Sequence, residues 1–390
     1  MPRLTISDRR ERAVVAVADA LLWPAALRRV FRRGAAGPPK RILCFRLERI
    51  GDLLMTAPAL TALRTLVPDA TIDLVVGSWN REIAAAIPGV DRVETLDAEW
   101  LTRGSRGLSP LGLAAAAAGW RGRRYDLAIN FEPDIRTNIA VAAAGARTSI
   151  GFASGGGGPL LDVALAYDTR AHTTDNALAL VQAATGLTPD PRIESPLRIP
   201  ESHRARASSL FAGVNGAVRI GMHVSGGRAI KQWPEERFRD VAAHLVRERD
   251  ATIVLTGTPA DRAQIDVVRA ALPDERVVDV SSLDLLTVAA VLAGLDVFVT
   301  GDTGPMHLAH AVGTPVVAVF GPSDPLRYAP RGVRDAVVRI DLPCSPCNRI
   351  RQPPARCVGH TPDCLAGIET ASVLAAIDEP LRERDAEPPR

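Results

Sequence analysis

Residues 225–231 combine small, hydroxyl and basic side chains in a way that suits the binding of an anion. Ser225, Gly226 and Gly227 allow backbone N–H groups to approach an anion, and the serine adds a hydroxyl donor. Lys231 adds a compact positive charge, and it is one of two lysines in a chain with 45 arginines. The spacing is not that of a P-loop, so the segment alone is a weak signal for phosphate, and a surface position for Lys231 is the alternative.

A second anion-binding segment is predicted at the turn formed by Asp302, Thr303, Gly304 and Pro305. The proline suits the first turn of a helix, where its missing N–H costs nothing, so free backbone donors of a helix start are expected there. The apolar runs 297–300 and 314–320 predict buried strands of a parallel sheet, and ligands bind at the carboxyl ends of such strands. The turn 321–324 ends at the same edge. Together the two segments predict a diphosphate ligand.

Acidic and imidazole side chains at other turns are further candidate site residues. Asp52 lies between a predicted strand at 41–47 and a predicted helix at 53–66, so it either faces a cleft or caps the helix. His307 and His310 are three residues apart, a spacing that metals use, but the sequence places no third ligand nearby. We expect His307 to contact the ligand and His310 to be structural.

Four of the five cysteines lie in one short segment with the pattern C-x2-C-x9-C-x6-C. They are Cys344, Cys347, Cys357 and Cys364. Four thiolates at such spacing predict a structural zinc or iron site that closes a loop, and His360 is a spare ligand. Two disulfides or free thiols are the alternatives. The fifth cysteine, Cys44, is predicted to be a core residue.

Strands alternate with helices after residue 40, which predicts α/β domains with parallel, doubly wound sheets. The patterns lapse around 188–200, which predicts a domain junction. We expect four regions: a basic extension and linker at 1–40, a first domain at 41–205, a second domain at 206–375 with the cysteine segment at 344–364, and a polar tail at 376–390.

The composition is that of a soluble globular protein, with 47% hydrophobic and 23% charged residues over 390 positions. The net charge of +3 is too small to predict nucleic-acid binding, and no apolar run is long enough to predict a transmembrane helix. Asp19 interrupts the N-terminal apolar stretch and four arginines follow it, so a secretory signal is not predicted. A cytoplasmic protein with reduced thiols is expected.

Residues 1–33 combine clustered arginines, Trp23 and an apolar face around Val14, Val17 and Leu21. An amphipathic helix of this kind suits the anionic inner face of a cell membrane. A helix that packs on the body of the protein, or a disordered segment, fits the same residues equally well.

Three separated segments resemble the signature segments of glycosyltransferase family 9, the ADP-heptose:lipopolysaccharide heptosyltransferase family. They are residues 46–52, 231–238 and 302–309. The resemblance covers residues 41–375 and implies a GT-B fold, with two Rossmann-like domains whose parallel sheets face a central cleft. It also implies inverting, metal-independent sugar transfer. The chain departs from the family's usual pattern at Glu48, where Asp is frequent, and at Gly301, where Asn is common.

The resemblance also implies a role for each candidate residue. Asp52 would be the general base that deprotonates an acceptor hydroxyl, and Lys231 would neutralise the departing diphosphate. Asp261 would reach the ribose of the donor. The residues that would bind the donor are Ser225, Gly226, Gly227, Lys231, Asp261, Asp302, Thr303, Gly304 and His307.

The sequence thus predicts a glycosyltransferase that moves a heptose or related sugar from a nucleoside diphosphate, with ADP-heptose as the expected donor, to a glycan or glycolipid hydroxyl. Lipopolysaccharide biosynthesis is the expected setting, and no cofactor is expected for catalysis. The alternatives are a GT-B enzyme for another nucleotide sugar, a sugar-nucleotide epimerase, and a non-catalytic nucleotide-sugar-binding protein. A dehydrogenase is disfavoured because no G-x-G-x-x-G follows either first strand.

Overall fold

The computed structural model describes residues 4–6, 8–27, 37–102, 107–212, 214 and 216–386. The chain forms two compact units, Met1–Leu197 and Arg198–Arg390, and the division falls within the stretch where the sequence patterns lapse. The arginines at 28, 29, 32 and 33 and the last four residues of the predicted tail lie outside the described residues.

The first unit is built on a six-stranded parallel sheet with the order β3-β2-β1-β4-β5-β6. Its strands are β1 Arg41–Arg46, β2 Thr71–Val76, β3 Arg92–Thr95, β4 Leu127–Asn130, β5 Thr148–Phe152 and β6 Val163–Leu165. Its helices are α1 Arg9–Leu22, α2 Ile50–Leu66, α3 Arg81–Ala86, α4 Pro110–Ala118, α5 Ile135–Ala143 and α6 Thr173–Thr185.

The second unit repeats this plan, with the order β12-β11-β10-β7-β8-β9 in its parallel sheet. Its strands are β7 Val218–His223, β8 Ala251–Thr256, β9 Val277–Asp279, β10 Val297–Gly301, β11 Val316–Val319 and β12 Ala336–Val338. Its helices are α7 Glu201–Leu210, α8 Glu235–Arg249, α9 Arg262–Arg269, α10 Leu285–Leu292, α11 Gly304–Ala311, α12 Pro325–Tyr328, α13 Asp363–Ala366 and α14 Thr370–Ala386.

The strand order of each sheet reverses once, and this reversal decides where a site can form. The chain builds outward from β1 to β3 and then returns to place β4 on the other side of β1; β10 is placed beside β7 in the same way. The loops that follow such neighbouring strands diverge and leave a crevice at the carboxyl edge. Each unit therefore has one switch point, between β1 and β4 in the first and between β7 and β10 in the second.

The predicted parallel α/β architecture is confirmed, because both sheets are wholly parallel and their central strands are buried on both faces. The start of one helix differs from the prediction, and the difference affects the candidate residue Asp52. Helix α2 begins at Ile50, three residues before the predicted start, and Arg49 is its N-cap residue. Asp52 is therefore not the cap. It lies in the first helical turn, where the helix dipole favours a carboxylate.

The last helix, α14, extends through residues 376–386, where the sequence suggested a polar tail. It is held by a stripe at four-residue spacing, Val373, Ile377 and Leu381, which is buried in the core of the second unit. No helix in the described part of the chain is long and apolar enough to cross a membrane.

The core of the second unit also fixes the chain that follows the 225–231 segment. Trp233 is buried and packs edge-on against Phe238, with ring centroids 4.8 Å apart. Its indole N–H donates a hydrogen bond of 3.1 Å to the carbonyl of Ile368. The position of Lys231 is thus set by a large side chain only two residues away.

We expect Trp233→Ala to lower the free energy of unfolding of the second unit by about 3–5 kcal/mol, because it empties a large core site and leaves a buried carbonyl with one donor fewer. Urea denaturation followed by circular dichroism measures the change. Leu326→Ala, at an exposed position, is the control and should change stability by less than about 0.5 kcal/mol. Equal effects of the two substitutions would contradict this account of the core.

Candidate functional site

The loop after β7 is held by the side chain of Gln232. Its Oε1 accepts the N–H of Gly226 at 2.6 Å, and its Nε2 donates to the carbonyls of Val224 and Trp233, each at 2.7 Å. A Cβ on Gly226 would lie 2.7 Å from the backbone of residues 231 and 232, so only glycine fits. The amide of Gln232 therefore closes the loop into one shape.

Two donors of this loop that were predicted to hold an anion are used within the loop itself. The N–H of Gly226 is bonded to Gln232, and the N–H of Gly227 donates to the hydroxyl of Ser225 at 3.2 Å. Gly227 adopts a φ of +66°, a conformation that favours glycine. The two glycines shape the loop in this structure, and Lys231 is the cation of the loop that is held at the switch point.

Lys231 and Asp302 form the central contact of the second unit's switch point. The ammonium Nζ lies 2.7 Å from Oδ2 of Asp302, and the side chains are only 18% and 13% exposed. Burial would raise the pKa of Asp302, but the positive charge and hydrogen bond of Lys231, together with Ser323 and His307, outweigh this effect, so the pKa lies below its usual value. Lys231 is thus a largely buried ion-pair partner and not a stray surface lysine.

The turn that carries Asp302 also starts helix α11, as predicted. Thr303 is the N-cap residue, but its side chain makes no capping bond, and its hydroxyl lies 3.0 Å from that of Thr300. Gly304 and Pro305 open the helix, so its first backbone N–H groups are not satisfied by the cap side chain. A helix start of this kind, beside an ammonium group, is suited to a phosphate.

The turn after β11 joins the same group of residues. Ser323 is buried and hydrogen-bonds to Asp302, and it helps to keep the pKa of that carboxyl low. His307, one turn into α11, is also buried and contributes to the same lowering. His310 is engaged elsewhere: its Nδ1 lies 2.8 Å from Oδ2 of Asp335, and its side chain is 41% exposed.

Asp261 is tied to the 225–231 loop through Ser225. Its Oδ2 accepts the N–H and the hydroxyl of Thr258, each at 2.8 Å, and Ser225 adds a further hydrogen bond. Burial would raise its pKa, but these donors hold the pKa below the usual value. The neighbouring His223 is buried against Thr256, and desolvation lowers its pKa to about 4, so it is neutral at pH 7.

The switch point of the first unit holds Asp52 against a buried arginine. The guanidinium of Arg46 donates to the backbone carbonyl of Asp52 at 3.2 Å and reaches its Oδ1 at 3.4 Å. The same guanidinium lies 3.1 Å from Glu48 and donates to the carbonyl of Phe131 at 2.6 Å. Asp52 remains about one third exposed. It is a solvent-accessible carboxylate with a fixed cation behind it.

Glu132, which the sequence reasoning did not single out, holds the loop that leads to Asp52. It follows β4, is buried, and accepts the backbone N–H groups of Leu47 and Glu48. Burial, together with the charge of Glu48, raises its pKa to about 8. Asn130 at the end of β4 accepts the N–H of Glu132 at 3.1 Å. In the sequence, Glu132 could have been found as a polar residue shortly after the apolar strand β4.

The four cysteines of the predicted metal site all lie among the described residues. All four thiols are free; Cys344 is exposed, whereas Cys364 is buried in α13. Desolvation, with added effects of the other three thiols, raises the pKa of Cys364 to about 11. Among the described residues, no group of three or more His, Cys, Asp or Glu side chains is placed to hold a metal ion. The zinc or iron site therefore stays a prediction from the spacing of the cysteines.

Comparison with known families gives one match over most of the chain. A family model described as glycosyltransferase family 9 (heptosyltransferase) matches residues 115–356, which include Lys231 and Asp302 but not Asp52. Lipopolysaccharide heptosyltransferase 2 of Salmonella typhimurium is 25% identical over 331 residues, covering 77% of this chain and 88% of that protein.

Two solved structures share the fold. ADP-heptose lps heptosyltransferase II from E. coli aligns with a TM-score of 0.72 and 22% identity, over 88% of this chain and 99% of that one. A glycosyl transferase of family 9 from Veillonella parvula aligns with a TM-score of 0.76 and 24% identity, over 90% of this chain and 100% of that one.

The buried carboxyl of Glu132 predicts a pH dependence of stability. Its folded-state pKa of about 8 lies above the ordinary value of 4.5, so the folded protein keeps a proton that the unfolded chain releases. Its contribution to the free energy of unfolding should be greatest below the unfolded value, decrease as the pH rises, and level off above about 8. Glu132→Gln should lack this decrease.

Urea denaturation at a series of pH values measures the effect as the stability difference between wild type and variant. That difference should shift in favour of Glu132→Gln as the pH rises through this window. Glu99→Gln, at an exposed position, is the control and should show little change. A constant difference between wild type and Glu132→Gln would contradict the assignment.

Proposed function

The chain belongs to glycosyltransferase family 9, and on that premise we propose that it moves a heptose, or a related sugar, from a nucleoside diphosphate to a hydroxyl of a glycan or glycolipid. Its fold is the GT-B fold of two Rossmann-like units that the resemblance implied. The observation that carries the proposal is the ion pair of Lys231 and Asp302 at a helix start, because a departing diphosphate requires a fixed ammonium and free backbone donors.

The names of the similar proteins support a narrower version of this proposal. One is an ADP-heptose lipopolysaccharide heptosyltransferase and another a lipopolysaccharide heptosyltransferase. We therefore take ADP-heptose as the donor and a lipopolysaccharide precursor as the acceptor. The identities of 22% to 25% leave the exact sugar to be determined by experiment.

The leaving-group half of the reaction is assigned to the second unit. As the bond between the anomeric carbon and the diphosphate breaks, negative charge builds up on the phosphate oxygens. Lys231 has three N–H donors and Asp302 occupies one, so the others are available to the diphosphate. The first N–H groups of α11 add donors that need not move during the step. Asp302 keeps the ammonium in place.

The acceptor half is assigned to the first unit. Asp52 would take the proton of the acceptor hydroxyl. The hydroxyl oxygen of the acceptor would attack the anomeric carbon from the side opposite the diphosphate, which inverts the configuration at that carbon. Arg46 holds Asp52 through contacts with the backbone carbonyl and the carboxylate of Asp52. Glu132 fixes the loop between these two residues.

The nucleotide is assigned to the residues around Ser225. The pKa of Asp261 is low, so its carboxylate is ionised at pH 7. An ionised carboxylate could accept hydrogen bonds from both ribose hydroxyls. The hydrogen bonds of Asp261 with Ser225 and Thr258 fix its carboxylate beside the 225–231 loop. In this mechanism Lys231 and the helix start carry the charge of the leaving group, so no step is routed through a metal ion.

Substitution of the proposed base tests the acceptor half. Asp52→Asn keeps the shape of the side chain but removes its basicity, so we expect the rate of sugar transfer to fall by about 10²- to 10⁴-fold while ADP-heptose binding changes little. Transfer is measured by ADP release in the presence of acceptor, and binding by calorimetry. The exposed Asp69→Asn is the matched control.

Full activity of Asp52→Asn would refute the assignment of the base. Two outcomes would refute the proposed function as a whole. A donor that is converted without any acceptor would indicate an epimerase, and donor binding without turnover over a panel of acceptors would indicate a binding protein.

Substitution of Lys231 tests the leaving-group half. Lys231→Gln removes the charge but keeps a hydrogen-bond donor for Asp302, so we expect ADP affinity to fall by at least about tenfold and the transfer rate to fall with it. Calorimetry with ADP measures the affinity. Lys40→Ala is the matched control, since Lys40 is the other lysine of the chain and is exposed. Unchanged ADP affinity in Lys231→Gln would show that the ammonium does not contact the diphosphate.

A further inference from the structure

Helix α1 and the short 3₁₀ turn after it, Trp23–Leu27, expose an apolar face to solvent. Val14, Val17 and Leu21 are 70%, 61% and 76% exposed, and their spacing places them on one side of the helix. Trp23 and Leu27 continue the exposed apolar surface. We call these five residues the N-terminal apolar face.

The opposite side of α1 is fixed to the first unit. Asp19 is buried and its carboxylate accepts the N–H of Gly157 at 2.6 Å. Val15 is buried beside Gly156, where a Cβ on the glycine would clash with the valine side chain. The backbone N–H of Thr5 donates to the carbonyl of Ser154 at 2.9 Å. Helix α1 therefore cannot rotate to bury its apolar face without breaking these contacts.

The charge of the chain is strongly uneven at this end. The first 40 residues hold nine basic and three acidic side chains, a net charge of +6, so the remaining 350 residues carry −3 of the total of +3. Arg9, Arg10 and Arg12 are exposed on α1, and Arg10 lies on the same side as the apolar residues. Four more arginines follow in the sequence between residues 28 and 33.

We propose that the N-terminal apolar face docks on a bilayer surface that contains anionic lipids. Apolar side chains and a tryptophan on one side of a helix, with arginines around them, are the features of helices that lie in the plane of a membrane interface. The positive charge is attracted to anionic headgroups and adds to the burial of the apolar side chains. A second copy of the chain is disfavoured, because a symmetric contact would bring two strongly basic segments together.

The test is vesicle binding by the full chain, which uses neither donor nor acceptor and so does not depend on the proposed transfer reaction. The protein is sedimented with vesicles of phosphatidylcholine alone or with about one third phosphatidylglycerol. We expect binding to the anionic vesicles only, with an affinity that falls as salt is added. Leu21→Gln should weaken this binding about tenfold, because an apolar side chain no longer leaves water.

Leu111→Gln is the matched control, because Leu111 is an exposed leucine at 81% on α4 of the same unit. It should leave vesicle binding unchanged. Arg10→Gln tests the same face through charge and should weaken binding to anionic vesicles about fivefold without changing an apolar contact. Circular dichroism and the thermal midpoint confirm that each variant is folded.

Three results would overturn the proposal. Wild-type protein that fails to bind anionic vesicles, or binds neutral vesicles equally well, removes its electrostatic basis. Equal losses in Leu21→Gln and Leu111→Gln would show that the N-terminal apolar face is not specific. If wild type self-associates in analytical ultracentrifugation and Leu21→Gln abolishes this without an effect on vesicles, the face is instead a contact between copies of the chain.

Discussion

The second unit depends on one largely buried ion pair, that of Lys231 with Asp302. Removing two charges from water is costly, and the pairing offsets this cost only if the geometry is held. The sheet supplies that geometry, because β7 and β10 are neighbours although β8 and β9 lie between them in the sequence. Gln232 and Trp233 then fix the chain next to the lysine. The positive charge is thus in place before any ligand arrives, as electrostatic stabilisation of a leaving group requires.

The first unit uses the same topology for the opposite chemistry. Its reversal places the loops after β1 and β4 side by side, and there three carboxyl groups surround one arginine. Burial would lower the pKa of Arg46, but the charges of Glu48, Asp52 and Glu132 raise it instead, so the cation persists inside the unit. A carboxylate at one switch point and an ammonium at the other are the two groups that proton abstraction and diphosphate departure need. The proposed division of the reaction between the two units would follow from a repeated fold with different loop residues.

Much of this was predictable from the sequence, because long apolar runs and Gly-Pro turns fix strands and helix starts locally. The strands β1 and β10 lie within one residue of the predicted strands at 41–47 and 297–300, and α11 starts at the Gly304-Pro305 turn as predicted. The bonds of Gln232 and Glu132 were not predictable, since each depends on a backbone group brought near by folding. Helix α2 starts before the predicted residue, and the turn before it receives a hydrogen bond from a distant residue, since Asn80 donates to the carbonyl of Glu48. The cysteine spacing predicted a ligand set, but spacing alone does not determine which thiols are buried by the core.

The contact of Asp19 with Gly157 has a consequence for how the first unit would meet a surface. A helix on a flexible linker leaves the attached domain free to tumble, whereas α1 is bonded along one side to the unit itself. Docking through the N-terminal apolar face would therefore fix the tilt and rotation of the first unit as well as its distance from the bilayer. The docked and oriented unit would then search for a lipid-anchored acceptor in two dimensions. The orientational entropy of the encounter would be lost once, at docking, and not at every turnover.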